Sequence, residues 1–251
     1  MNIITSSTFI KSKPSEASCL ETECLFGETV EILDFYLDWV YCKLVTDNYY
    51  GWIKKSDLGQ LNEATHRVLN IRTFIYKRPD VKSDIIKYLP MGANLAPLKF
   101  NSDWAEIRFP INNIIKIGYV PVNHIVELRH KVSDWVKVAK GLEGTPYKWG
   151  GRDTFGIDCS ALLQLSYQTY GQNIPRNTSD QINVDKPNIS EIDNLRRGCV
   201  IFWEGHVGIM VDKFNCIHAN AYHMKTVTEP LVDIISRMDE DQQIVKMMDF
   251  N

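Results

Sequence analysis

Between residue 7 and about residue 130, hydrophobic positions come in short, aromatic-rich stretches separated by turn residues, among them TFIKSKPSE, ETVEILDFYLDWVYCKLV and NYYGWIKKSDL. The alternation is imperfect: in ETVEILDFY, Val30, Ile32 and Asp34 alternate with Glu31 and Leu33. Even so, the flanking Gly27 and the aromatic enrichment predict a half-buried strand rather than a helix. Small all-β barrels are the expected solution for such a run of short strands.

A weak internal repeat points the same way. FGETVEILDFYLDWVYCKL followed by YYGWIKKSDL recurs as MGANLAPLKFNSDWAEIRF followed by IGYVPVNHIVEL, so that Gly27 matches Gly92. Asp38-Trp39 matches Asp103-Trp104, and Gly51-Trp52 matches Gly118-Tyr119. Agreement in order, spacing and residue type predicts a duplication of two barrels, residues 1–60 and 61–130, ahead of a third domain at residues 131–251.

From residue 132 the period changes. VSDWVKVAKGLEG carries apolar residues at near-helical intervals and ends in glycines, and CSALLQLSYQTYG predicts a buried helix stopped at Gly171. CVIFWEG, HVGIMVDKF and CIHANAY then read as consecutive antiparallel strands, which makes this last domain α+β. The segment IISRMDEDQQIVKMMDF fits either a strand or a short helix.

With 251 residues, 28 Lys and Arg against 31 Asp and Glu, and 44% hydrophobic residues, the chain has the composition of a folded globular protein. The net charge of −3 gives no reason to expect a nucleic-acid partner. Apolar runs stay short of the 18 residues a membrane-spanning helix needs, so no stable membrane insertion is expected. MNIITSSTFIK lacks the pattern of a secretory leader, and the six cysteines form no CxxC pair, so the working expectation is a cytoplasmic protein with reduced thiols.

Candidate chemistry is concentrated in the last domain. A cysteine peptidase needs a thiol, an imidazole to take its proton and a third group to orient that imidazole. Cys159 stands where the predicted helix begins, and helix-terminal amides there favour a thiolate and offer a donor to an oxyanion. His206 and His218 fall on adjacent strands, with His206 as base and His218 as the orienting group. Taken singly, each has a plainer reading as a buried cysteine or a strand histidine satisfied by backbone. Cys159, Cys199, His206, Cys216 and His218 also include soft metal ligands, but their spacing matches no zinc motif, and neither a metal nor another cofactor is expected.

The motifs YKWGG, DCS, FWEGHVGI and IHAN, in that order, resemble the NlpC family of papain-like cell-wall peptidases, and the two preceding repeats resemble bacterial SH3-like domains. The resemblance implies hydrolysis of the γ-D-glutamyl–diamino acid bond in murein stem peptides, with Cys159, His206 and His218 as the catalytic set. It further implies a free N-terminal L-Ala on the substrate, met by Asp158 and by Tyr49, with Tyr50 as the alternative register. Ser160 and Ser179 are implied as substrate-contacting hydroxyls, and Tyr147 as a residue lining the oxyanion side. Arg176 is left as a loop residue. Two positions depart from the family pattern: Ala161 replaces the glycine after DCS, and Cys199 replaces an aspartate before the FW strand. The alternatives are an inert wall-binding protein, or an amidase or acyltransferase of the same superfold.

Overall fold

The short alternating segments of the N-terminal half form strands β1 (Asn2–Ile3), β2 (Ser7–Lys11), β3 (Leu20–Leu25), β4 (Val30–Tyr36), β5 (Trp39–Leu44), β6 (Tyr50–Lys54) and β7 (Leu58–Gly59). They continue as β8 (His66–Val68), β9 (Arg72–Tyr76), β10 (Ile85–Pro90), β11 (Asn94–Leu95), β12 (Pro97–Phe100), β13 (Trp104–Ile111), β14 (Ile114–Pro121) and β15 (Ile125–Glu127). The computed structural model describes residues 1–111, 114–238 and 243–251. It divides into two units, one made of Met1–His130 with Arg152–Thr154, the other of Lys131–Gly151 and Phe155–Asn251.

The repeat in sequence is a repeat in topology. One five-stranded antiparallel sheet has the order β3-β2-β6-β5-β4 and the other β10-β9-β14-β13-β12, which is the same order strand for strand. The matched glycines explain part of it. A Cβ on Gly51 would stand 2.2 Å from Ile10 Cγ2, and one on Gly118 would stand 2.3 Å from Ile75 Cγ2. Each glycine lets the strand after the hairpin lie against a core isoleucine.

The expectation of two closed barrels is overturned, because among the described residues no sheet closes on itself. Closure requires the edge strands to tilt until they pair. Here β3 and β4 are joined by a turn through Gly27 and form no ladder with each other. The short strands that might bridge the gap pair elsewhere: β1 with β7, and β8 with β11 and β15. β4 also runs away from its core, since Leu33, Phe35 and Tyr36 are exposed. Each sheet still buries its own apolar set, Ile10, Val30, Val40, Leu44 and Ile53 in one and Ile75, Leu89, Ile107, Phe109 and Val120 in the other.

Within the same unit, Arg152 is 1% exposed and makes a two-pronged contact with Glu28, at 3.0 Å to Oε2 and 3.1 Å to Oε1. Its other guanidinium contact is to the Glu23 carbonyl at 2.9 Å, and its backbone N–H donates to the Glu23 carboxylate at 2.8 Å.

The second unit contains α1 (Trp135–Gly141), α2 (Cys159–Gln168), α3 (Thr178–Gln181) and α4 (Leu231–Ser236). The short strand β16 (Arg152–Asp153) belongs to the first unit and β17 (Gly156–Ile157) to the second, whose sheet uses β18 (Cys199–Trp203), β19 (His206–Met210), β20 (Asn215–Asn220), β21 (Lys225–Pro230) and β22 (Lys246–Asp249). The order is β21-β20-β19-β18-β22, antiparallel throughout. α2 is buried from Cys159 to Tyr167 and packs on β19 and β20. The ambiguous C-terminal segment is both things in turn: α4 ends at Ser236, and its far end enters the sheet as β22.

Replacing Glu28 with alanine strands a buried guanidinium, and urea unfolding of the N-terminal unit should register a loss of about 3–5 kcal/mol. An unchanged transition would show that the Arg152 contact contributes no stability.

Candidate active site

The surroundings of Cys159 are built by a helix cap. Asp158 has extended backbone angles and its Oδ1 accepts from Ala161 N–H at 2.8 Å, so α2 begins at Cys159. The YKWGG loop lies along the residues before the cap: Lys148 N–H donates to the Ile157 carbonyl at 3.1 Å, and Gly150 N–H to Asp158 Oδ2 at 2.9 Å. Two motifs far apart in meaning along the sequence are therefore one piece of structure.

Arg176, a loop residue by sequence, is 2% exposed and grips both oxygens of Asp158 at 2.9 and 2.6 Å. It also donates to Ser160 Oγ at 2.6 Å, and that hydroxyl donates to Asp158 Oδ1 at 3.1 Å. The Asp158 carboxylate thus accepts from five donors. Ser160 and Asp158 are brought together beside the thiol, with Arg176 as the residue the sequence reading missed. Gln181 of α3, fully buried, donates to the Ser160 carbonyl at 3.0 Å and braces the same turn.

Cys159 is 7% exposed, and the backbone amides of Val207 and Ser160 favour the charged form of its thiol. Val207 directly follows His206 at the start of β19. Burial, with the Asp158 charge behind it, pushes the thiol up to about 12, against the expected helix-terminal lowering. Burial, with His218 second, pulls His206 down to about 3. Burial thus disfavours both the thiolate at Cys159 and the imidazolium at His206.

His206 Nε2 and His218 Nδ1 are 2.8 Å apart. Strand register makes this possible, since Ile209 pairs with Ile217 and Met210 with Cys216, which puts His218 across from Gly208. A Cβ on Gly208 would lie 2.4 Å from Cys216 Sγ and 3.3 Å from the Trp203 ring, so only glycine leaves room at that crossing. Trp203 packs its ring on His206 at a centroid distance of 5.6 Å.

Of the remaining sequence-predicted residues, Tyr147 is half-buried. Its phenol is pushed up to about 12 by burial and by the charges it would meet at Cys159 and Asp158, and so remains a donor at neutral pH. Ser179 is exposed on α3, outside the Asp158 network. Tyr49 belongs to the first unit, where its hydroxyl donates to Glu21 at 3.4 Å, and Tyr50 is exposed. Ala161 is fully buried in the first turn of α2. Opposite Cys199, Asp249 supplies a carboxylate that pairs with Arg196. Among the described residues no group of three or more His, Cys, Asp or Glu is placed to hold a metal ion. No described helix is long and apolar enough to cross a membrane.

The depressed histidines tie stability to pH. An unfolded histidine takes up a proton below about 6.5, while His206 stays neutral down to about 3, so the folded state loses stability as pH falls between those values. Melting temperatures should fall across this window, and less steeply in His206→Gln; parallel curves for the two proteins would contradict the assignment.

Comparison with known proteins completes the picture. Residues 144–242 match the NlpC/P60 family, and residues 11–58 match the bacterial dipeptidyl-peptidase Sh3 domain. The chain is 25% identical over 232 residues to dipeptidyl-peptidase 6 of Lysinibacillus sphaericus, covering 83% of each chain. It is 25% identical over 241 residues to the gamma-D-glutamyl-L-lysine dipeptidyl-peptidase of Bacillus subtilis (strain 168), covering 85% of this chain and 78% of the relative. The crystal structure of an NlpC/P60 family protein from Bacillus cereus ATCC 10987 superposes with a TM-score of 0.83 at 19% identity, covering 99% and 98% of the two chains. Residues 144–242 thus form a cysteine peptidase domain of the NlpC/P60 family, with an SH3-like domain at residues 11–58 ahead of it.

Proposed function

We propose that this peptidase hydrolyses the γ-D-glutamyl–diamino acid bond of murein stem peptides, with Cys159 as nucleophile, His206 as general base and His218 as the group that orients His206. The observation that carries the site assignment is the 2.8 Å contact between the two histidines beside a thiol held at the head of a capped helix. The relatives' dipeptidyl-peptidase names support the choice of bond.

In this reading substrate binding brings a carbonyl carbon to the sulfur. The thiol proton passes to His206 as the C–S bond forms, and the oxyanion is met by the Cys159 backbone N–H and the Tyr147 hydroxyl. His206 then protonates the departing amine, and water activated by the same imidazole releases the acyl group. Burial disfavours both charges, so formation of the thiolate is coupled to proton transfer to His206 as the substrate is attacked.

A preference for a free N-terminal L-Ala is part of the proposal. With five donors already on its carboxylate, Asp158 accepts a substrate ammonium only by giving one of them up.

Cys159→Ala should abolish release of the diamino acid from L-Ala-γ-D-Glu-diaminopimelate, a loss of at least about 10³-fold, while the melting temperature holds. Product analysis by mass spectrometry decides it, and wild-type turnover in the variant would remove Cys159 from the mechanism. N-acetylation of the L-Ala should slow cleavage by about tenfold or more, as expected for loss of one charge-assisted contact; equal rates on the two peptides would refute recognition of the amine.

A further inference from the structure

Behind the histidine pair stands a carboxylate that the reaction just described does not use. Glu229, on β21, pairs across the strands with Cys216, and so shares a sheet face with His218 two residues further along β20. Its Oε1 lies 2.8 Å from His218 Nε2 and also accepts from Arg237, while its Oε2 lies 3.3 Å from His223 Nε2. The side chain is 13% exposed.

We propose that Glu229 is a positioning residue for hydrolysis: through His218 it fixes the tautomer of His206 in which Nδ1 carries the lone pair that receives the Cys159 proton. The proposal rests on the assignment of Cys159 as nucleophile and His206 as base.

The argument is a count of hydrogens. A neutral imidazole has one N–H and one acceptor, whereas an ionised carboxylate only accepts. Facing Glu229, His218 must hold its proton on Nε2, which leaves Nδ1 to accept. The ring nitrogen 2.8 Å from that Nδ1 is His206 Nε2, which must therefore carry the His206 proton. His206 Nδ1 is then free. The thiol proton moves to it as the sulfur attacks, and the positive charge formed on His206 is balanced through His218 by the carboxylate.

The opposite phase is also built into the site. Asn220 Nδ2 is 3.0 Å from His218 Nε2, and the amide's orientation is set by His223 N–H donating to Asn220 Oδ1 at 2.7 Å. Were Asn220 to donate to Nε2, His218 would protonate on Nδ1 and donate to His206 Nε2. His206 would then hold its own proton on Nδ1, where it cannot take another. Glu229 wins this competition because a bond to a charged group is roughly twice as strong as a neutral one. Burial works against its charge, but Arg237, His218 and His223 together hold the carboxyl down to about 2.

The experiment compares wild type with Glu229→Gln. Expected are a fall in kcat of about 10- to 100-fold with KM unchanged, and a parallel slowing of Cys159 alkylation by iodoacetamide, read by peptide mass spectrometry. ¹⁵N-histidine NMR of the wild type should show both His206 and His218 protonated on Nε2, with Nδ1-protonated forms emerging in the variant. Wild-type kcat and alkylation rate in Glu229→Gln would overturn the proposal. So would Nδ1-protonated His218 in the unmodified protein, a measurement that needs no variant to fold. Tautomers are read without substrate, whereas failure of the underlying assignment would show as turnover by Cys159→Ala, so the two failures are distinguishable.

Discussion

The buried pair of Asp158 and Arg176 is the contact on which the peptidase unit is organised. Taking two charges out of water costs several kcal/mol for each ion, and the pair is tolerable only because nearly every lone pair and donor is used. Arg176 contacts both carboxylate oxygens, Gly150 and Ala161 donate from the backbone, and Ser160 closes the network. One carboxylate thereby starts α2, fastens the YKWGG loop to it and fixes the position of the next residue, Cys159.

That arrangement sets an electrostatic problem beside the thiol. A negative group at the preceding residue and near-complete burial disfavour a thiolate, and the same burial disfavours an imidazolium at His206. A helix N-terminus alone does not reverse this, because its donors are shared with a carboxylate already in place. The backbone amides of Val207 and Ser160 favour the charged sulfur and so work against part of that penalty. The sheet contributes register: Gly208 leaves the space in which His218, Cys216 and Trp203 converge.

The N-terminal unit shows what duplication preserves. Strand order and the glycine-over-isoleucine contacts are the same in both copies, although the strands that would close a barrel are too short or paired elsewhere. Burying an apolar set beneath one sheet face does not require closure. The exposed outer half of β4 is apolar in sequence and so mimics the pattern of a strand that wraps a core.

The sequence by itself determined the element types and the repeat and singled out Cys159, His206 and His218 as a candidate set, because periodicity, turn residues and motif order are local properties of the chain. It also placed the start of α2 at Cys159, although the capping role of Asp158 came only with the structure. Only the tertiary structure decided that the sheets stay open, that Arg176 neutralises Asp158, and that a carboxylate stands behind His218. Arg176 lies 18 residues from its partner with no periodic relation to it, and Glu229 meets His218 through a strand register that one residue of slip would undo. The upward shift of the Cys159 thiol was likewise hidden, because burial outweighs the helix terminus, and burial is a property of the packed molecule rather than of any segment of its chain.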